Sequence, residues 1–352
     1  MNSKKLILGI IGGGQLGSML ASAAKKINIK TIILSNDKEA PAKNFSDIFI
    51  YGNYDDKNKV NKFIELVNVV TFEFENIPFK ILNNINKKKP VFPYPSINKL
   101  IQNRYSEKNF INKLGIKTTK YALIKNKSDL LKNKELFPGL LKTCTLGYDG
   151  KGQIKINSLN DLSKLSIDFK KEYILEKIVS LKKEISVIIT RFKKGHYEIY
   201  EPIENVHQDQ ILKHSKIPAK INKAIFNKSK FWAKNITEKL DYIGTMCVEY
   251  FIDKNDNLYL NEIAPRVHNS GHLTINAFNI SQFENHIRAI CKMKRIKLIK
   301  KNNAKMINIL GYKINEYKNK SFKKNEFFFD YKKKKVKNKR KMGHLTITTP
   351  II

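Results

Sequence analysis

The sequence predicts an α/β protein, α+β taken as a whole, with a parallel sheet first and antiparallel strands after it. Three observations carry this. The apolar run LILGII (6–11) ends in Gly12-Gly13-Gly14-Gln15-Leu16-Gly17, and a helix pattern of small residues follows; this is the order strand, tight turn, helix. Residues 5–95 then alternate strand and helix patterns, the order that builds parallel sheets. Beyond residue 118, β-branched and aromatic runs dominate. At 352 residues the chain can bury a large core and divide into two or three domains.

Taken in order, strands are expected at 5–11, 29–34, 47–51 and 68–74, with helices after the glycine turn and near 56–66. PVFPYPS (90–96) is a proline-punctuated junction. One helix is expected over 97–113, stopped by Gly115. Residues 118–178 form a smaller strand-rich unit, and 182–202 read as two long strands. An amphipathic helix follows Pro218 to about residue 240. GTMCVEYFID and NLYLNEI form a hairpin, 281–291 a helix, and the tail has strands near 304–311, 325–331 and 343–348. The domain division is 1–100, a Rossmann-like parallel-sheet domain; 101–292, with a small subdomain at about 118–178; and 293–352, a small β-rich domain.

The composition is strongly basic: 67 Lys and Arg against 31 Asp and Glu, net +36. Such a balance can mean nucleic acid or an anionic membrane. Here the lysines spread along the whole chain among Asn and Ile, and arginine is confined to positions 104, 191, 266, 288, 295 and 340. Phosphate readers favour clustered arginine, so the charge reads as solvated faces, with no specific nucleic-acid partner. Only YKKKKVKNKRKMGH (331–344) is densely basic. Cys144, Cys247 and Cys291 are far apart and carry no metal-ligand spacing, which fits a reducing compartment. No apolar run reaches the ~18 residues of a membrane span. The start resembles a signal peptide but passes straight into the glycine turn, so it reads as the first strand of a cytoplasmic protein.

Six stretches carry chemistry. Gly12, Gly14 and Gly17 match G-x-G-x-x-G, and Asp37 follows about 20 residues on, the pattern of a dinucleotide site. Backbone amides and a helix N-terminus welcome any phosphate. Because a second glycine loop and paired glutamates already provide for a nucleotide, this loop is expected to hold the phosphate end of a phosphorylated substrate rather than a dinucleotide, with Asp37 in a solvated turn. In LKTCTLGYDGKGQ (141–153), Lys142 ends a buried strand and a loop with glycines at 147, 150 and 152 follows, an arrangement able to close over phosphate oxygens. In CVEYFIDKNDNLYLNEI, a two-residue turn at Asn255-Asp256 places Glu249 opposite Glu262. Opposed like charges destabilise a strand pair, and a hard divalent cation such as Mg²⁺ relieves them. APRVHNSGH (264–272) crowds Arg266, His268, Asn269 and His272 at a strand end. Finally, VTFEFENI places Glu73 and Glu75 at the carboxyl end of a parallel strand, where open α/β sheets bind ligands, and NVHQDQIL places His207 and Asp209 after a strand.

Together GGGQLG, TFEFEN, GYDGKGQ, NEIAPRVHNSGH and RKMGH resemble the ATP-grasp superfamily and, within it, the N5-carboxyaminoimidazole ribonucleotide synthases of purine biosynthesis. The resemblance implies an ATP-grasp fold and an ATP-dependent carbon–nitrogen ligase that uses Mg²⁺. It implies that Arg104, Lys142 and the loop Gly147, Tyr148, Asp149, Gly150, Lys151, Gly152 and Gln153 contact ATP phosphates. Glu176, Lys177, Ile178 and Val179 would hold adenine and, with Glu184, the ribose; His207 and Asn261 would border the nucleotide. Glu249 and Glu262 would hold Mg²⁺. Gly13, Gln15, Leu16, Glu75, Tyr148, Asp149, Arg266, His268, Asn269, Lys333 and Arg340 would bind bicarbonate and the ribonucleotide, with Arg266, Lys142, Asp149 and His268 catalytic. The implied partners are 5-aminoimidazole ribonucleotide, bicarbonate and ATP, in a homodimer. The family usually has glycine where this chain has Gln210 and Lys332, and many ATP-grasp enzymes have Asn where Ala264 stands. A final helix common in the family is not expected, since the sequence stops at Ile352. The formate-using glycinamide ribonucleotide transformylase is the rival within the superfamily; an NAD-dependent dehydrogenase or a basic nucleic-acid-binding protein would be a rival class.

Overall fold

The first sheet of the protein is parallel. In the computed structural model, which describes residues 6–147, 152–163 and 165–351, it has the order β3-β2-β1-β4, from β1 (Ile7–Ile11), β2 (Lys30–Ser35), β3 (Ile48–Tyr51) and β4 (Val69–Phe72). Helices α1 (Gln15–Lys26), α2 (Lys57–Leu66) and α3 (Phe79–Asn86) connect or follow these strands. β1 reads as an unbroken apolar run and β4 is buried along its length, as strands covered on both faces are; the one polar residue of β4, Thr71, bonds His286. The expected strands and first two helices are all present; α3, entered through Pro78, was not expected.

The single helix expected over 97–113 is two, α4 (Pro95–Ile101) and α5 (Arg104–Lys113). Asn103 breaks it. Its backbone is extended and its side chain accepts the N–H groups of Tyr105 and Ser106, a local N-cap that competes with helix continuation. Gln102 donates to the carbonyls of Glu75 and Ile77, pinning the break to the end of β4. Gly115, at φ +70°, ends α5 as expected.

The unit near 118–178 is a four-stranded antiparallel sheet, β5-β8-β6-β7, built from β5 (Tyr121–Ile124), β6 (Gly139–Thr143), β7 (Gln153–Ile156) and β8 (Tyr173–Lys177), with helix α6 (Lys127–Lys132). It has its own core around Ile124, Leu141, Ile156 and Leu175. The larger sheet has the order β14-β13-β9-β11-β12-β15-β17-β16, with β10 on β9. Its strands are β9 (Leu181–Arg191), β10 (Tyr197–Ile199), β11 (Ile203–Gln208), β12 (Ile211–Ile217), β13 (Gly244–Asp253), β14 (Leu258–Ala264), β15 (Asn302–Leu310), β16 (Glu326–Asp330) and β17 (Lys341–Pro350). The second strand expected within 182–202 is the three-residue β10, because Pro202 offers no N–H to continue a ladder. Helices α7 (Lys223–Lys239), α8 (Thr274–Ala277), α9 (Gln282–Ile290) and α10 (Ile314–Lys318) complete the chain.

Two packing features position the site. α9 packs on α1, and Met19, Leu20 and Ala24 share one core with Phe283, Ile287 and Ile290. The tail strands do not form a separate sheet. β15 pairs with β12 from Ala304↔Ile217 to Ile307↔His214, so the boundary expected at 292/293 crosses no break in the ladder.

Candidate active site

A cleft of about 1120 Å³ opens between the parallel sheet, the small sheet and the large sheet. Its floor is the β13–β14 hairpin, where Glu249 pairs with Glu262 as expected, though through a different turn. The loop is three residues, Lys254 to Asp256, closed by Asp253 N–H to the Asn257 carbonyl at 3.1 Å, with Asp256 left-handed at φ 61°. That shifts the register by one near the turn, Tyr250 pairing with Leu260. A bulge at Asn261 shifts it back, so the two glutamates meet again. Burial, and then the charge of Glu262, pushes the Glu249 carboxyl up to about 8. The pair is thus two hard oxygen donors, one driven to keep a proton by burial and by the other. This donor set fits a hard divalent cation bound through carboxylates.

Each glutamate has a partner. Arg104 at the start of α5 reaches Glu262 at 3.1 Å, and its other terminal nitrogen donates to the Gly147 carbonyl. His268 Nε2 lies 3.2 Å from Glu249. Burial, and then Arg266, keeps His268 neutral, and Ser270 holds its Nδ1.

Lys142, ending β6, faces the cleft floor. Its Nζ lies 2.9 Å from Glu176, which also meets Lys108 at 3.5 Å. Burial would raise the Glu176 carboxyl, but the two lysines outweigh it and hold it at about 2. The Glu176 side chain is thus the counter-charge that aims Lys142, which leaves the adenine role implied for this segment to the edge carbonyls of the strand. Lys177 turns outward to the Glu135 carbonyl, Ile178 is exposed, and neither they nor Val179 line the cleft. Gly147, Gln153, Glu184, His207 and Asn261 do line it, with Glu184 and His207 paired at 2.5 Å. Gly152, at φ +74°, packs on Thr143. Tyr148, Asp149, Gly150 and Lys151 lie outside the described residues.

Across the cleft, Arg266 Nε bonds Glu75 at 2.5 Å. Burial would raise the Glu75 carboxyl, but Arg266 outweighs it and the net shift is downward. Gln15 donates to Asn269 and accepts from Lys333 Nζ at 2.9 Å; the same Nζ donates to the Lys341 carbonyl at 2.6 Å. Arg340 lines the same wall, its guanidinium donating to the Lys335 carbonyl at 2.8 Å. Residues from positions 15, 75, 266–269 and 333–340 thus converge as expected.

The glycine loop departs from expectation. Glu73 accepts the N–H groups of Gly14 and Gly17, the latter at 2.7 Å. A Cβ on Gly12 would lie 2.5 Å from Glu73 Cγ, and one on Gly14 would lie 2.6 Å from Glu73 Oε1. The glycines make room for the protein's own carboxyl, which takes the place an anion would have at the start of α1. Asp37 caps its own turn, accepting from Glu39 N–H. The dinucleotide reading fails on this geometry. Gly13 packs on Ser35 and Ala40 and does not line the cleft; Gln15 and Leu16 do.

Sequence reading missed Glu107 and Lys108. Glu107 accepts the Ile263 N–H at 2.5 Å, and burial with Glu262 pushes it up to about 8. Lys108 donates to the Asn261 carbonyl. Both follow Arg104 at helical i+3 and i+4 spacing, which is the signal that could have found them.

The comparisons agree with this geometry. The chain matches the ribonucleotide synthetase preATP-grasp domain over residues 5–102, the ATP-grasp domain over 109–283 and the phosphoribosylaminoimidazole carboxylase C-terminal domain over 304–351. It is 36% identical over 360 residues to the N5-carboxyaminoimidazole ribonucleotide synthase of Staphylococcus aureus (strain COL), covering 99% of this chain and 95% of the relative. It is 37% identical over 346 residues to that of Bacillus subtilis (strain 168), covering 97% and 90%. The structure of the Staphylococcus aureus enzyme complexed with ADP superposes with a TM-score of 0.91 at 35% identity, covering 99% and 95%. That of the Aspergillus clavatus enzyme with ADP and 5-aminoimidazole ribonucleotide superposes with a TM-score of 0.90 at 29% identity, covering 98% and 94%. With likeness running from the first strand to the last and through every wall of the cleft, this chain belongs to the N5-carboxyaminoimidazole ribonucleotide synthase family.

Proposed function

We propose that the cleft joins bicarbonate to 5-aminoimidazole ribonucleotide at the expense of ATP, giving N5-carboxyaminoimidazole ribonucleotide, ADP and phosphate. The observation that carries this is the division of one cleft into two walls. Lys142 and the Glu249/Glu262 pair form a polyphosphate wall, and Arg266, Gln15, Asn269, Lys333 and Arg340 form a wall for a small phosphorylated substrate.

A bicarbonate oxygen attacks the γ-phosphorus of ATP, and the bond to the β-phosphate oxygen breaks to release ADP. Carboxyphosphate then splits into CO₂ and phosphate. The amine of the ribonucleotide attacks CO₂ and loses a proton. Lys142, aimed by Glu176, neutralises charge on the transferred phosphoryl group. Mg²⁺, held by Glu249 and Glu262, would supply Lewis-acid charge there when bound. Arg266, steadied by Glu75, holds bicarbonate, and His268 orients Glu249. In this reading the amino-terminal sheet and the tail hold the ribonucleotide, and the small sheet closes over ATP and excludes water from the acyl phosphate.

ADP release should require Mg²⁺ and be stimulated by 5-aminoimidazole ribonucleotide with bicarbonate. Stimulation by glycinamide ribonucleotide with formate instead would move the chain to the rival activity. We also take the enzyme to be a cytoplasmic homodimer acting on small molecules alone. Among the described residues no helix is long and apolar enough to cross a membrane, and light scattering that gave the mass of one chain would reject the dimer.

A further inference from the structure

The mechanism above leaves the buried thiol of Cys247 unused. Among the described residues, Cys247, Glu249 and His268 each offer one ligand atom, and these atoms lie within 4.8 Å of one another. Cys247 and Glu249 are two apart on β13 and so share a face; His268 stands just past the end of β14.

The local geometry is close to that of a metal centre. Glu249 Oε1 and His268 Nε2 are 3.2 Å apart, near the ~3.4 Å edge between two ligands that each sit about 2.1 Å from a tetrahedral zinc ion. Ser270 Oγ lies 2.9 Å from His268 Nδ1 and 2.8 Å from Ser186 Oγ. The Ser270 N–H also approaches Nδ1, at 3.3 Å, so in the metal-free ring Nδ1 accepts and Nε2–H faces Glu249. On binding a cation the ring takes the other tautomer, Nδ1–H donating to Ser270 Oγ, which turns the Nε2 lone pair toward the other two ligands. The donor types also discriminate between cations. Mg²⁺ takes oxygen, whereas thiolate with imidazole and carboxylate suits zinc, with a fourth position left for water.

We propose that Cys247, Glu249 and His268 form a binding site for a thiophilic divalent cation of the zinc class, separate in donor set from the oxygen pair Glu249/Glu262. Binding replaces the S–H bond with a sulfur–metal bond and releases the thiol proton to solvent, so affinity rises with pH. A cation there takes Glu249 from its partner. Zinc therefore inhibits by competing with Mg²⁺, a consequence that rests on the reading of Glu249 and Glu262 as the Mg²⁺ pair.

The test is titration of the full-length protein with Co²⁺, without Mg²⁺ or nucleotide. The expected result is one equivalent bound, with a near-ultraviolet thiolate-to-cobalt charge-transfer band and strong visible bands of tetrahedral cobalt. The band should persist in Cys144→Ala/Cys291→Ala, whose only cysteine is Cys247, and vanish in Cys247→Ser. His268→Gln should weaken cobalt binding at least tenfold. No band in the wild type, its loss in the double variant, or its survival in Cys247→Ser would overturn the site. Should Cys247→Ser not fold, the double variant decides alone. Zinc inhibition relieved by Mg²⁺ supports the competition. A cobalt band without such relief leaves the site standing and refutes the assignment of Glu249 to Mg²⁺.

Discussion

Glu249 and Glu262 have the same chemistry and opposite consequences. Glu249 is held beside a like charge, whereas Glu262 also holds Arg104 at 3.1 Å. Glu249→Gln keeps an oxygen to accept from His268 and removes the repulsion, so the ligand-free variant should melt no lower than wild type. Glu262→Gln strands Arg104 and should melt lower. Both should lose Mg²⁺-dependent ADP release, because an amide oxygen carries no charge to offer the cation; activity in either at saturating Mg²⁺ would sink the pair as the metal site. Glu176 gives a second prediction. Its folded carboxyl sits at about 2, below the ordinary value of 4.5. A depressed carboxyl stabilises above its unfolded pKa, and that stabilisation is lost as pH falls through the folded value. Glu176→Gln should therefore cost on the order of 3 kcal/mol near neutral pH, since it leaves two buried lysines unpaired. The gap from wild type should narrow between pH 4.5 and 2, as read by thermal melts. The sequence made the glutamate pair legible because strand pairing is arithmetic, although two compensating shifts produced the expected sum. Glu73 was not legible in this sense: a glycine loop that fits a phosphate fits a carboxyl equally well, and only the fold says which is present.

At the scale of elements, the legible ones were those with strong periodicity, and the errors fell where a side chain overrode it. Asn103 splits a continuous helix pattern by capping, and Pro202 cuts a strand pattern short. Both are local hydrogen-bond effects that hydrophobic period does not register. The two positions where the family usually has glycine also resolve at this scale. Gln210 and Lys332 both have left-handed backbones, at φ 64° and 57°. Gln210 sits in the tight turn between β11 and β12, and Lys332 just after β16. A side chain there crowds the following carbonyl, at roughly 1–2 kcal/mol, partly offset by glycine's greater freedom in the unfolded chain. Gln210→Gly and Lys332→Gly should each stabilise by about 0.5–1 kcal/mol. Melting temperatures unchanged or lowered in both would show that the turns are not strained.

At the scale of the whole molecule, the cleft exists because the chain's two ends meet. One large sheet runs from β14 to β16, so the tail strands inherit their position from β12 and carry residues 333–341 over to α1. Lys333 then bonds Gln15, 318 positions earlier. Sequence patterns place each motif on its element but hold no term for such distances; only the resemblance brought these residues together before the fold did. The closure matters to the proposed ribonucleotide site, because two amides of the glycine loop are already taken. Glu73 already occupies the Gly14 and Gly17 amides, so positive charge must come from elsewhere, and the tail supplies it. Lys333 is tied to Gln15 and to the Lys341 carbonyl, and its removal would disturb that wall as well as the charge. Arg340 is the cleaner probe: it is partly exposed, lines the cleft, and its guanidinium bonds the nearby Lys335 carbonyl. Arg340→Ala should therefore raise the KM for 5-aminoimidazole ribonucleotide at least tenfold, about 1.4 kcal/mol of lost uniform binding, while the KM for ATP changes less than twofold. An equal rise in both would mean that the tail orders the cleft as a whole rather than reading one substrate's phosphate.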